Sequence, residues 1–301
     1  MSLDSPAKQL TCAVMITTHN RLEDLQHTCN QLRNLDPAPD EWLFTADGCE
    51  DGTAAWLKQE FPDATLFVNN PGQGSVASRD QMLRKANSDL VLALDDDSYP
   101  CEINAIERLK VFHASAPAVA VSTFPQRSEE YPETLEQECF PELGETGSFP
   151  NSGACFVTKI YCTLPGFPRF FFHAFEEPDY VLQCIEAGYR VFHSNRVTIR
   201  HHFTSVGRDE RRTHHRHARN ECWSVLMRCP MPWMPLVLFG KALSQLRYSC
   251  RRGGAWLIRE PAWWYQAALG TLQALSHRRP VSWNSYRTWL TAMKNIKRGS
   301  I

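Results

Sequence analysis

No stretch of this chain approaches the roughly 20 consecutive apolar residues that a membrane-spanning helix requires. The longest apolar run, Met231–Gly240, is short and contains Pro232 and Pro235. Met1–Leu10 carries Asp4 and Lys8 without an apolar core, so it lacks the pattern of a secretory signal. None of the eleven cysteines forms a Cys-x-x-Cys pair. Together these absences predict a cytoplasmic protein with free thiols. An excess of one charge is missing too: 32 Lys and Arg stand against 33 Asp and Glu, a net −1. That balance gives no argument for nucleic-acid binding, and no nucleic-acid motif is present. Internal repeats and low-complexity tracts are also absent.

What is present begins with a core. Apolar residues are 43 % of 301, enough for one large α/β domain with an added segment. Charge is unevenly spread: Arg196 to Arg259 holds thirteen Lys and Arg against three acids, while Ser128 to Gly147 holds seven Glu and no base. The first suggests a basic C-terminal face suited to phosphates or an anionic membrane surface. Cys12–Thr17, Glu41–Ala46, Thr65–Val68 and Leu90–Leu94 read as strands. Between them, Leu22–Leu35, Thr53–Phe61 and Ser75–Ala86 read as helices. That alternation predicts a largely parallel sheet covered on both faces, with ligands at the carboxyl ends of its strands. Three polar clusters fall at such ends: Thr18–Arg21, Asp47–Asp51 and Asp95–Asp97. Pro125–Pro150 reads as a long surface loop. Ala154–Thr158, Tyr189–His193 and Val197–Arg200 read as further strands, and Glu177–Ala187 and Thr213–Arg228 as helices. Composition shifts after Pro230, which predicts a catalytic domain over 1–230 and a helical region over 231–301.

Asp95, Asp96 and Asp97 directly follow an apolar strand. Burying three adjacent carboxylates without a cation costs roughly several kcal/mol each. Magnesium or manganese resolves this, since a hard cation takes one or two carboxylates and completes its shell with phosphates. A solvated turn capping a helix over Pro100–Ala114 is the plain alternative. Glu176-Glu177-Pro178-Asp179 forms the second acidic group. It reads either as carboxylates for proton transfer or as the acidic first turn of a helix.

Four segments, in order, resemble the family 2 glycosyltransferases, which adopt the GT-A fold. They are VMITTHNR (Val14–Arg21), WLFTADGCEDGT (Trp42–Thr53), NPGQGSVASRDQMLRKANSDLVLALDDD (Asn70–Asp97) and FEEPDYVLQCIEAGYRVFHSNRVTIRHH (Phe175–His202). The resemblance covers roughly Ala13 to Pro230. It implies an α/β, Rossmann-like GT-A domain with a mainly parallel mixed sheet flanked by helices, followed here by a helical C-terminal extension.

It also implies roles. Thr17 and Asn20 would line the nucleotide pocket, and Asp47 would accept from the imide of a uracil-like or thymine-like base. Arg79 would lie near the diphosphate or brace the aspartates. Asp95 would contact ribose or metal, Asp96 would share the donor site, and Asp97 would ligate Mn2+ or Mg2+ directly. Glu177 stands at the position of the catalytic base in an inverting transfer, with Glu176, Asp179 and Gly153 on the acceptor side. His201 and His202 close a strand where the family often has a His near the metal. Adjacent strand residues face opposite ways, and His202 is the preferred ligand. The chain departs from the family at Glu177, where Asp is more usual, and at Gln183, where many members carry an Arg for the diphosphate. Arg200, Arg208 or Arg211 are expected to compensate.

The expected activity is therefore transfer from a UDP- or dTDP-sugar to a hydroxyl of a glycan or lipid-linked acceptor, in cell-surface polysaccharide or glycolipid synthesis. Two other readings remain open. One is a degenerate member that binds nucleotide sugar without turnover. The other is a sugar-phosphate nucleotidyltransferase, although Thr17-Thr18-His19-Asn20 is not the Gly-rich loop that class needs. His214, His215 and His217 lack zinc-finger spacing. Beyond Pro230, Trp256, Trp263, Trp264, Trp283 and Trp289 are interleaved with Arg251, Arg252 and Arg259. Such a segment lies on the cytoplasmic face of a membrane, or packs on the catalytic domain or a second copy.

Overall fold

The computed structural model describes residues 10–202 and 209–299. Its first half alternates strand and helix: β1 Cys12–Thr18, α1 Leu22–Leu32, β2 Glu41–Asp47, α2 Thr53–Glu60, β3 Thr65–Asn69, α3 Ser75–Lys85 and β4 Leu90–Asp95. There follow β5 Ser98–Pro100, α4 Ala105–Ser115, β6 Val119–Thr123, β7 Gln126–Ser128, β8 Gly144–Glu145, β9 Ala154–Val157 and α5 Thr158–Thr163. The second half holds α6 Glu176–Glu186, β10 Arg190–His193, β11 Ile199–His201 and α7 Glu210–Arg228. It ends in α8 Met234–Arg252, α9 Gly254–Leu257, α10 Glu260–Leu269, α11 Thr271–Ser276 and α12 Trp283–Gly299.

Eight strands make one mixed sheet in the order β3-β2-β1-β4-β9-β6-β10-β8. The β1–β4 strands run parallel, while β9 lies antiparallel between β4 and β6. Successive residues of the central strands enter opposite cores: Ala13, Met15, Val91 and Ala93 pack on one face. Cys12, Val14, Ile16, Leu90, Leu92 and Leu94 pack on the other. Burial on both faces explains why these strands read as unbroken apolar runs rather than alternating ones. α1 contributes Leu25, Cys29 and Leu32 at helical spacing to the second core. A small sheet, β5-β11-β7, lies beside the main one.

α4 begins at Ala105, not Pro100, and β5 separates it from the acidic triplet. The helix-capping alternative for Asp95–Asp97 is therefore removed. The 125–150 stretch is mostly irregular, as expected, with β7, β8 and a 3-10 turn at Pro132–Thr134 as its regular pieces. All eleven cysteines are free thiols. Among the described residues no helix is long and apolar enough to cross a membrane.

The C-terminal helices attach in two ways. α12 joins the main core: Tyr286 and Trp289 are buried with the sheet's side chains, and Trp289 Nε1 donates to Gly147 O at 2.9 Å. Truncating such a ring costs about 3–5 kcal/mol. α10 instead leans on α7, where Trp263 packs with Ala218 and Cys222.

Candidate active site

Parallel pairing in register aligns the carboxyl ends of β1, β2 and β4, with Thr17 opposite both Thr45 and Asp95. The polar clusters that follow these strands therefore share one edge of the sheet. After β1 the chain turns through Asn20, whose φ of 52° is left-handed. Its Oδ1 accepts from Glu50 N at 2.7 Å, tying this turn to the one after β2. Thr17 is buried at the end of β1.

Asp47 closes β2. Its Oδ1 accepts from Asn69 Nδ2 at 2.8 Å, Gln73 N at 2.8 Å and Ser78 Oγ at 3.1 Å, and its Oδ2 accepts from Gly74 N at 2.8 Å. These bonds hold the turn that enters α3. The carboxylate expected to read a base is thus engaged by the protein itself. Gly74, at φ 89°, has no room for a side chain because Phe172 O and its ring occupy that space.

The acidic triplet divides its labour. Arg79, buried on α3, ion-pairs through Nη2 with Asp95 and through Nη1 with Glu176 at 3.3 Å. Arg21 Nη1 lies 2.7 Å from Asp96 Oδ1 and 2.8 Å from Asp97 Oδ2. Burial pushes the Asp96 carboxyl up to about 7, against the pull of Arg21. Burial would raise Asp97 as well, but His201 and Arg21 outweigh it and hold that carboxyl below its usual range. Asp97 Oδ1 is buried and makes no hydrogen bond; His201 Nε2 lies 3.3 Å from it. Asp95, Asp97 and His201 each offer a ligand atom, all within 4.8 Å of one another. Two carboxylates and an imidazole converging on one point, with one buried carboxylate oxygen lacking a well-formed hydrogen bond, fit a hard divalent cation.

The preference for His202 is corrected by this geometry. The alternation of β11 turns His201 toward Asp97, while His202 Nε2 lies 3.0 Å from the Tyr99 hydroxyl and its ring packs edge-on against His27.

Glu176 and Glu177 open α6 beside the triplet. Glu176 is 1 % exposed, and its Oε1 accepts from Arg79 and from Asn151 Nδ2 at 3.1 Å. Its Oε2 is buried without a partner. Half-buried Glu177 accepts from the same Asn151 amide at 2.8 Å. Burial first, and the neighbouring Glu176 charge second, raise the Glu177 carboxyl well above its ordinary value. Both glutamates line a cleft of about 240 Å3 with Ser148, His173, Phe175 and His217.

The segment that delivers this pair is strained. Phe172, Ala174 and Phe175 all have positive φ, at 66°, 73° and 69°. It is held from α7: the buried Asn220 amide lies 3.1, 2.9 and 2.8 Å from the carbonyls of Phe171, His173 and Ala174. Arg219 Nη2 donates to Phe171 O at 3.0 Å.

Other expected acceptor-side residues face elsewhere. Asp179 is fully buried and accepts from Arg228 Nη2 at 2.9 Å and Ser224 Oγ at 2.8 Å, which locks α6 to α7. At Gly153 the space for a side chain is filled by Ile199, not left open to a sugar. The Gln183 amide bridges Gly166 and Asp179, so it does not stand in for a diphosphate-binding Arg. Arg200 is paired with Glu129 and donates to Arg127 O at 2.9 Å. Half-buried Arg211 lies in the first turn of α7, and Arg208 lies outside the described residues. Arg21, Asn151 and Asn220 were not singled out from sequence. Arg21 sits inside the first quoted motif and Asn151 lies just before β9, beside Gly153, whereas Asn220 carried no local signal.

Residues 13–148 match the family model described as glycosyl transferase family 2. Over those residues the chain resembles the family 2 glycosyltransferases. No curated protein sequence matches it. Among solved structures it resembles GalNAc-T7 with UDP, GalNAc and Mn2+, at TM-score 0.60 and 11 % identity, over 74 % of this chain and 49 % of that one. It therefore spans about half the length of that relative. The mannosyltransferase PcManGT from Pyrobaculum calidifontis, in complex with GDP-Man and Mn2+, gives TM-score 0.56 and 18 % identity over 98 % of this chain and 87 % of that one. S. aureus TarS 1-349 gives 0.58 and 15 %, over 95 % and 89 %. At these identities the likeness establishes the GT-A fold.

Proposed function

We propose that this protein is an inverting glycosyltransferase that moves a sugar from a nucleoside-diphosphate donor to a hydroxyl acceptor. The observation that carries the reading is the Arg79 bridge, because one buried guanidinium joins Asp95 of the triplet to Glu176 of the acidic pair. Donor-side and acceptor-side carboxylates are thereby held in one cluster. Residues 1–230 would form the catalytic unit. Asp95, Asp97 and His201 would hold Mn2+ or Mg2+, which when bound neutralises charge on the departing diphosphate. Thr17, Asn20, Asp47 and Asp96 would shape the nucleotide pocket, Asp47 by fixing the turn into α3.

Glu177 would take the proton from the acceptor hydroxyl as that oxygen attacks the anomeric carbon. The carbon–oxygen bond to the diphosphate breaks, and the configuration inverts. Glu177 suits this role better than Glu176, which is ion-paired with Arg79 and almost fully buried. A raised carboxyl pKa brings the base nearer neutral pH, where proton transfer is most effective.

UDP- and dTDP-sugars are the donors favoured by the sequence. Two fold relatives were solved with UDP and with GDP-Man, so all three nucleotides enter the test. A glycan or lipid-linked acceptor, reached from the cytoplasmic face of a membrane, completes the reading. Glu177→Gln should lower transfer by about 10²–10⁴-fold with nucleotide binding retained. Undiminished turnover in that variant would remove Glu177 as the base.

A further inference from the structure

Fourteen of the nineteen large apolar side chains exposed among the described residues lie beyond Pro230. α10 shows the pattern most clearly. Its inner side is settled by Trp263, buried against α7 and donating to Glu260 Oε2 at 2.8 Å. Its outer side, Pro261, Ala262, Trp264, Tyr265, Ala268 and Leu269, is exposed and carries no charge. A helix that is apolar on both sides belongs in a core or at a lipid interface. Leu236 and Phe239 on α8 and Leu272 on α11 extend the exposed apolar area, at 66 %, 70 % and 81 % exposure.

Charge selects the occupant. Residues 231–301 hold eleven Lys and Arg against one acid, Glu260, a net +10. The preceding 230 residues hold twenty-one against thirty-two, a net −11. Glu260 is itself buried, so it does not offset the cationic surface. Arg247, Arg251, Arg259 and Arg279 are exposed and make no ion pair among the described residues. Two copies meeting through this face would set arginines against arginines, Arg247, Arg251 and Arg259 among them. A copy offering its −11 body instead would bring five exposed large apolar side chains among the described residues. An anionic bilayer supplies both missing complements, an apolar layer and negative headgroups.

We propose that the outer face of α8, α10 and α11 seats the protein on an anionic lipid surface. Trp264, Tyr265 and Leu269 enter the headgroup boundary while Arg251 and Arg259 meet phosphates. The opposed charges of the two regions also orient the molecule, since the −11 body is repelled from the same surface. The inference deepens the proposed function and rests on it only for what such seating would serve, access to a membrane-borne acceptor.

The test is co-sedimentation of the full chain with vesicles of phosphatidylcholine alone or mixed equally with phosphatidylglycerol, with calorimetric nucleotide titration on the same preparations. The expected result is pelleting with the mixed vesicles only, weakened by salt. Trp264→Glu/Leu269→Glu and, separately, Arg251→Glu/Arg259→Glu should each lower vesicle affinity at least about tenfold, with nucleotide binding unchanged. Equal recovery with both vesicle types, or full binding by both variants, would overturn the proposal. So would a dimer that the Trp264→Glu/Leu269→Glu pair dissolves in the absence of vesicles. Vesicle binding without any nucleotide binding would support this surface while removing the donor site, so the two readings fail separately.

Discussion

In the half that holds the acidic clusters, charge is drawn inward and matched. Arg79 lies between Asp95 and Glu176, Arg21 spans Asp96 and Asp97, and Arg228 closes on Asp179, with most of these groups buried. From Met231 onward the arrangement reverses. Arginines stand in solvent, and tryptophans and leucines share the surface with them. Buried ion pairs cost desolvation and return rigidity and position. Exposed apolar and cationic groups add little to folding and are available to a partner. The same chain thus uses arginine in one region to hold a site together and in the other to meet something outside.

The sharpest break of that contrast is Arg228→Met. It leaves Asp179 buried without its partner and should destabilise the fold by about 3–5 kcal/mol in chemical denaturation. Replacing both, Asp179→Leu with Arg228→Met, should recover most of that loss. A single variant as stable as wild type would show that this pair does not lock α6 to α7.

Asn220→Ala comes next, at about 1–3 kcal/mol for the unpaired carbonyls it leaves in the strained Phe171–Ala174 segment. Because that segment presents Glu177, kcat should fall more than KM rises. Equal effects on both would assign Asn220 to general stability.

A smaller effect is read in pH. Burial and Glu176 raise the Glu177 carboxyl, so the folded state holds that proton more tightly than the unfolded chain. Glu177 therefore subtracts stability as pH rises through the window above its ordinary value of 4.5. If Glu177 is the base proposed above, transfer needs its carboxylate, and the acid limb of the rate profile should lie above the ordinary carboxylate range. The Asn151 bond favours the charged form, and Asn151→Ala should move that limb further upward. A limb unmoved by Asn151→Ala would separate this bond from the base.

The smallest change belongs to the other region: Trp264→Glu should alter stability by within about 0.5 kcal/mol. A large loss there would mean that the ring is part of the fold rather than of a contact surface.

The parts of the fold legible in the sequence were those with a local period. Leu90–Leu94 read as a buried strand because both its faces are covered, and α1 showed its apolar stripe. The acidic groups were legible because they sit at strand and helix ends. Partnerships over long separations were not. Arg21 meets Asp97 across 76 positions and Asn220 meets Ala174 across 46, and no periodicity encodes such pairs. Gly153 and Asp179 look equally suited to a ligand or to the core in sequence, and packing with Ile199 and Arg228 decided both. The His201–His202 choice failed for a related reason. Alternation shows that one of the two faces the aspartates, but which one depends on the pairing of β11 with β5 and β7.

Asp95, Asp97 and His201 are proposed to form a donor site completed by a divalent ion. That site is tested most directly by calorimetric titration of UDP, dTDP and GDP into wild type and Asp97→Asn, with manganese and with chelator. At least one nucleotide should bind wild type only with manganese, and Asp97→Asn should lose that binding while remaining folded. Equal binding with and without metal, or undiminished binding by Asp97→Asn, would contradict it.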